Sequence, residues 1–446
     1  GADGTVAREA VSTRLRSIAR HGPCKPDAAG IRDYLCYGFV PAPRSLLAGI
    51  GSVPPGVICR QDLDSGEECW QTIPSAGIAN RSDASEAFWP SLCASVAGSR
   101  ASAVLLSGGI DSAAVALAAI EKGLKLRAYH ARFPVVPLSR DEDTVAARIV
   151  ARHLRVPYEE IDIGPRQAAR YFYQVVGAQD QAMADPVVLP FYLLFSHLRG
   201  GHRKVLTGEG GDQLFGSWSM KPMLLHRAYQ QAEWDHSRAY LDSYHKFPGR
   251  WRELLAPALL DELVDEKGPE QAISAAWSRC PNDDLADRVR WVDIKLKGLQ
   301  HIAPRIQAMA ARHDVQLLHP LFSADLLELS FSLPADLKLA GAREKVLLKQ
   351  LLRRHLPIEV VERTKSGMGV PTTSWFRTLL RPLAWYWLGS RRVRQAGVLN
   401  VHTVKRLLKG DFYPDDGRAR RWGDSLWMLC TLQAWFESLK DNRMTP

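Results

Sequence analysis

Nowhere in the 446 residues does an apolar run reach the length a bilayer crossing requires, and the start, GADGTVAREAV, has no basic segment leading into an apolar core. The expectation is a chain without a membrane span, not visibly secreted, and at home in a reducing cytoplasm. The seven cysteines, Cys24, Cys36, Cys59, Cys69, Cys93, Cys280 and Cys430, stand far apart with no CxxC, so neither a disulfide framework nor a zinc knuckle is indicated. The 13 histidines show no HxxxH or HExxH spacing, which makes His130 and His319 packed or surface imidazoles rather than metal ligands. No internal repeat or low-complexity tract is found. No Gly-Lys-Ser/Thr follows a glycine loop either, so the lysine that Walker-type sites place on terminal phosphates is missing, which argues against γ-phosphoryl transfer.

What is there reads as an ordinary globular protein: 46% hydrophobic and 24% charged, with a length that suggests two or three domains. Its net charge of +10 is uneven. From Ala342 to Pro446 there are 20 lysines and arginines against 9 acidic residues, and six of the 13 tryptophans (Trp375, Trp385, Trp387, Trp422, Trp427, Trp435). A basic, Trp-rich final quarter can face an anionic partner such as a nucleotide or an acidic peptide. The favoured reading is plainer: the basic residues are interleaved with apolar ones at helical spacing, solvating helix faces while the tryptophans fill the core.

Along the chain, residues 1–85 carry only short elements, such as IRDYLCYGFV. From about 86 to 218, β-rich runs (SAVLLSG, KLRAYHARF, YEEIDIG, KVLTG) alternate with helical patterns (IDSAAVALAAIEKG, DEDTVAARIVARHL), which predicts an α/β core with a parallel sheet and flanking helices. From about 219 to 446 nearly every segment has helical spacing, predicting an all-helical lobe.

Two loops carry the chemistry. Ser107, Gly108, Gly109, Ile110, Asp111 and Ser112 follow the apolar strand Ala103 to Leu106 and open a helix. Glycines there let the backbone approach an anion, and the free N–H groups and dipole of the following helix favour phosphate; Ser107 and Ser112 add hydroxyl donors. The second loop, Gly208, Glu209, Gly210, Gly211, Asp212, Gln213, follows KVLTG. In a parallel sheet, loops at strand C-termini gather along one edge, so Asp111 and Asp212 can converge. Two carboxylates beside a triphosphate imply Mg²⁺, which takes carboxylate and phosphate oxygens together.

SGGIDS resembles the pyrophosphate-binding loop of the ATP pyrophosphatases. Together with GEGGDQLFG, HPLFSADLLELSFSLP (His319 to Pro334), EKVLLKQLLRRHLP and RTKSGMGVPTTSWF, it resembles the synthetase domain of the asparagine synthetase family. That resemblance implies an adenine nucleotide α-hydrolase-like core over residues 86–446, and makes residues 1–85, with IRDYLCYGFVPAPRSLLAGIGSVPPGV, a reduced glutaminase-domain remnant and linker. It implies ATP and Mg²⁺, with Asp111 and Asp212 as metal ligands, and Ser107, Gly108, Gly109, Asp111, Ser112, Gly208, Gly210 and Gly211 around the pyrophosphate. It gives catalytic roles to Lys365, at the reacting phosphate, and to Glu209, which stands where amide-forming members carry a glutamate and β-lactam-forming members a tyrosine. Lys345 is a weaker candidate for a phosphate contact. Asp185 either lines the substrate entrance or caps the following helix, and adenine is expected beside Tyr129 to Phe133.

There are departures from the family pattern. Residue 1 is not the cysteine a glutaminase needs, so this chain is expected to release no ammonia from glutamine. Gln213 and Ser323 replace acidic residues, and both changes are expected to sit near the substrate and to weaken aspartate as the substrate. The family chemistry is adenylation of a carboxylate, loss of pyrophosphate and attack by an amine. Without ammonia the amine comes from the substrate, as in lasso-peptide macrolactam cyclases, which is the favoured reading. The alternatives are an asparagine synthetase or amidotransferase with a missing or inactive glutaminase, a β-lactam synthetase, and a tRNA-modifying adenylating enzyme. The partners expected are a carboxylate substrate, in the cyclase case a precursor peptide, and with it a protease or leader-peptide-binding protein; nucleic acid is disfavoured.

Overall fold

A computed structural model of the chain describes residues 11–21, 24–62, 68–72, 81–134, 142–216, 235–244, 246–247, 249–340, 343–363, 367–413 and 421–440. The first strands, β1 (Val57–Gln61) and β2 (Glu68–Thr72), form an antiparallel pair with Val57 opposite Thr72. The centre is a five-stranded, wholly parallel sheet made of β3 (Ala103–Leu105), β4 (Arg127–Arg132), β5 (Tyr158–Asp162), β6 (Lys204–Leu206) and β7 (Gln316–Leu318). Their order is β5-β4-β3-β6-β7. The chain enters at the middle, winds outwards through β4 and β5, then returns to the other side of β3 for β6 and β7. The winding therefore reverses between β3 and β6, and a ligand crevice opens in an α/β sheet at the C-terminal ends of the strands flanking such a reversal.

Each face of the sheet has its own apolar core. On one face lie the helices Ala84–Val96, Ile110–Glu121, Glu142–His153, Ala324–Ser332 and Val346–Leu352. Helix Ile110–Glu121 meets the sheet through Ala113, Ala114, Ala116, Ala118 and Ala119, all fully buried, whose small side chains allow close approach. On the other face lie Pro165–Gly177, Val188–Leu198, Ala303–Ala311, the helix Ala28–Tyr37 and the C-terminal helix Trp422–Lys440. Every residue of Ala28–Tyr37 is buried. Tyr34 Oη donates to the Met428 carbonyl at 2.8 Å, tying this helix to the last one.

Among the described residues, the segment expected to be entirely helical also contains strands: β7 and a short antiparallel pair, Leu339–Ala340 with Arg343–Glu344. These runs are two or three residues long, too short for a period of two to show in a sequence. Trp375, Trp427 and Trp435 are fully buried, as core residues should be, while Trp385 stays about half exposed. No helix among the described residues is long and apolar enough to cross a membrane.

Candidate active site

The loop after β3 is closed by its own serines. The Ser107 N–H donates to Ser112 Oγ at 3.1 Å, the two hydroxyls meet at 3.0 Å, and Ser112 Oγ donates to the Gly109 carbonyl at 3.0 Å. Ser112 is buried and Ser107 exposed, so Ser112 shapes the loop while Ser107 faces the crevice side open to solvent. Gly108 sits at φ +81°, and a Cβ there would stand 2.2 Å from the Asp143 carbonyl oxygen. The backbone N–H groups of the first turn of Ile110–Glu121 lack intrahelical acceptors by construction, which leaves them available to an anion.

The loop after β6 is laid directly against the first. A Cβ on Gly208 would lie 2.4 Å from the Ser112 nitrogen, and one on Gly211 would lie 2.2 Å from Asp111 Oδ1. Only glycine lets the two loops approach this closely. The result brings Asp111 and Asp212 to a single side chain, Lys345: its ammonium contacts Asp111 Oδ2 and lies 2.8 Å from Asp212 Oδ1. Burial by itself would make Lys345 easier to deprotonate, but Asp111 and Asp212 outweigh it and hold its pKa above the ordinary lysine value. The lysine is therefore a fixed positive charge.

Asp111 Oδ1 is buried without a hydrogen-bond partner among the described residues. Two carboxylates and an orphaned hard oxygen fit Mg²⁺, and no third metal-ligating side chain gathers there among the described residues. A cation held this way would complete its shell with water and phosphate oxygens, as Mg²⁺ commonly does.

Around this centre, Thr207 Oγ1 accepts from the Glu209 N–H at 3.2 Å and pairs with His319 Nδ1 at 3.1 Å. Burial pushes the His319 pKa down to about 4, so the ring is neutral at pH 7. His130 is packed, with its ring nitrogens on the Leu106 carbonyl and on Thr144 Oγ1. Lys365 lies outside the described residues. Its neighbour Arg363 pairs with Asp143, whose carbonyl crowds Gly108, and so borders the first loop.

Asp185 stands just before the helix it was expected to cap, whose N-cap is Val187. It accepts from the Val187 N–H at 3.2 Å, at the start of Val188–Leu198, and pairs with buried Arg305. His301, one helical turn before Arg305, stacks on Phe39 with centroids 5.0 Å apart. The two expected substrate-side departures have structural employment. Gln213 is buried and donates to Asp293 Oδ2 at 3.0 Å, and Ser323 caps the helix Ala324–Ser332 through the Leu326 N–H.

Comparison with known proteins gives the same picture. The family model for asparagine synthase matches residues 92–437. The chain belongs to the asparagine synthase family. Among its relatives, a putative glutamine-hydrolysing asparagine synthetase of Mycobacterium tuberculosis is 23% identical, aligned over all of this chain and 73% of the relative. Asparagine synthetase 1 of Bacillus subtilis is 22% identical over 82% of this chain and 62% of its own length. A carboxyethyl-arginine beta-lactam-synthase of Streptomyces clavuligerus is 26% identical over 83% of this chain and 60% of its own length. Membership of the asparagine synthase family makes the chain an ATP-dependent ligase acting on a carboxylate.

Sequence reading missed the rank of Lys345. It stands 234 residues from Asp111, and no spacing rule links the two. Arg363 and the interlocking of Gly208 with Ser112 were also invisible, since both depend on how the sheet edge folds together.

Proposed function

We propose that this chain is an AMP- and pyrophosphate-forming carboxylate–amine ligase. The observation that carries the reading is the meeting of Asp111 and Asp212 on Lys345 at the winding reversal, beneath a glycine loop that has no Walker lysine. Asp111 and Asp212 would hold Mg²⁺, which when bound neutralises phosphate charge and favours departure of pyrophosphate. Ser107, Gly108, Gly109 and the first turn of Ile110–Glu121, with Gly208, Gly210 and Gly211, would cradle the phosphates. The substrate carboxylate attacks the α-phosphorus, the bond to the β-phosphate oxygen breaks, and an acyl-adenylate forms. Glu209 lies beside the amine's path and takes its proton as the amide forms and AMP leaves. Lys365 stabilises the charge developing on the acyl oxygen and AMP.

For the amine we favour one already present on a peptide, as in a macrolactam cyclase. Support comes from a groove of about 530 Å³ on the helical part, where Arg391 and Arg392 stand beside exposed Tyr386 and Arg392 lies 4.0 Å from the Tyr386 ring centroid. Such a surface suits a chain bearing acidic and aromatic side chains. Aspartate with ammonia is the second reading, supported by the asparagine synthetase relatives and by the structural roles of Gln213 and Ser323.

The test is incubation of the chain with ATP labelled at the α-phosphate, Mg²⁺ and either a candidate precursor peptide or L-aspartate with ammonium. AMP is expected. Accumulation of ADP would overturn the reaction class. A peptide product lighter by one water supports the cyclase reading, and asparagine supports the second.

A further inference from the structure

The paired carboxylates of the candidate centre already hold a cation, and it is covalently part of the chain. The Lys345 side chain is only 2% exposed and reaches both Asp111 and Asp212. Its backbone is left-handed, at φ +54°, directly before the helix Val346–Leu352. A long side chain seldom accepts that conformation, and where one does, the surroundings impose it. Here the neighbouring elements impose it from both sides. Leu347 and Leu348 anchor the helix in the core beside Ile110–Glu121, and Lys345 must turn back to reach the sheet edge.

Charge decides what this arrangement does. Among the described residues, two carboxylates and one ammonium leave a single negative charge around a buried lysine. The close approaches at Gly208 and Gly211 set the two carboxylate-bearing loops side by side. A free divalent ion would meet half-neutralised ligands and a fixed ammonium a few ångströms away, and like charges at that range repel strongly when shielded from water. Nucleotide phosphates change the balance, because they bring negative oxygens that serve the ammonium and a metal ion together.

Building on the nucleotide-site reading above, we propose that Lys345 is an internal counter-cation that keeps the Asp111–Asp212 pair closed to a free divalent ion and yields it only when nucleotide phosphates arrive. The metal would then enter as its nucleotide complex rather than ahead of it.

The test uses Mn²⁺ alone as the probe, without nucleotide, on the full chain. Binding is read by electron paramagnetic resonance and by the shift in Tm. Lys345→Met should bind Mn²⁺ at least about tenfold more tightly than the unaltered chain. Lys345→Gln, which keeps a donor for the carboxylates and folds under milder demands, should do the same. Lys345→Arg, which keeps the charge, should behave like the unaltered chain. Mn²⁺ should raise the Tm of the two uncharged variants and scarcely move the other two proteins. An unaltered chain that binds free Mn²⁺ as tightly as the uncharged variants, or gains as much in Tm, overturns the proposal. The ATP-cleavage assay is independent: ADP formation would sink the ligase reading, whereas normal AMP formation with equal Mn²⁺ affinities would sink only the role given to Lys345.

Discussion

Two buried lysines sit among carboxylates in this molecule, and their surroundings differ in one respect that separates a site from a brace. Lys338 reaches Asp287 Oδ1 at 2.8 Å, Arg290 pairs with the same carboxylate, and Asn282 donates to its other oxygen at 2.8 Å. Arg290 continues to Ser330 Oγ at 2.7 Å and lies over the Phe331 ring. Every carboxylate oxygen in that cluster is engaged and the positive charges outnumber the negative. Around Lys345 the proportion is inverted, with two carboxylates to one ammonium and Asp111 Oδ1 left unengaged among the described residues. A saturated cluster holds helices together; one left with net negative charge around a single ammonium can still be rearranged when a ligand supplies further charge.

The sharpest way to break this comparison is to remove one carboxylate from each cluster. Asp111→Ala and Asp212→Ala should each abolish AMP formation in the assay above, with the fold retained by circular dichroism. Asp287→Asn should do the reverse: it should cost about 3–5 kcal/mol of stability in urea unfolding, because a buried lysine and arginine lose their counter-charge, while the folded fraction keeps its kcat. Comparable losses of both properties in both clusters would erase the distinction.

A smaller effect is expected at Lys365. Its replacement by Ala should lower kcat by at least about a hundredfold with ATP affinity little changed, comparable to losing one oxyanion-hole donor. Turnover near that of the unaltered chain would remove it from the site and leave Lys345 as the centre's ammonium.

The smallest effect is on pH dependence. His319 and His313 have pKa values lowered to about 4 by burial, while an unfolded histidine titrates near its ordinary value. Between about pH 6.5 and 4 the unfolded chain takes up protons that the folded chain refuses, so stability should fall as pH drops through that window. His319→Gln should flatten its share of the decline in Tm. Asp287 acts in the same direction at lower pH: burial opposes its ionisation, but Arg290, Lys338 and Asn282 keep its carboxyl below the usual range. Its contribution is present above the ordinary aspartate value and is lost only as pH falls below about 4, so the two clusters should fail in successive pH windows.

Much of the sheet and the two glycine loops was legible because the signals are local. A strand, a glycine turn and a helix start lie within a dozen residues of one another at Ala103 to Ser112, and again at Lys204 to Asp212. That both loops lie along one sheet edge follows from helices alternating with parallel strands, but the reversal of winding that makes them neighbours appears only in the fold. Lys345 was not legible as a central residue, because its role depends on a helix from the far end of the chain packing beside Ile110–Glu121. β7 was hidden by its three-residue length. Gln213 and Ser323 show a different limit: a changed residue in a motif points equally to altered chemistry and to altered packing, and the packing partners, Asp293 and the Leu326 N–H, appear only in the folded chain.

The buried helix Ala28–Tyr37 has a consequence for how the protein comes into being. Ala28–Tyr37 is seated on mid-chain residues, with Phe247 donating to the Leu35 carbonyl and Phe39 stacked on His301. It also meets the last helix, where Tyr34 bonds to Met428 and Arg16 reaches Ser438 Oγ at 2.9 Å, so the core on that face is completed only once Trp427 and Trp435 have been made. The sheet face built around Ile110–Glu121 is free of any such dependence on the last helix, drawing on no residue beyond Val361. Birth of this molecule is therefore lopsided: one face can close before the helix Trp422–Lys440 is made, and the other is completed only with it.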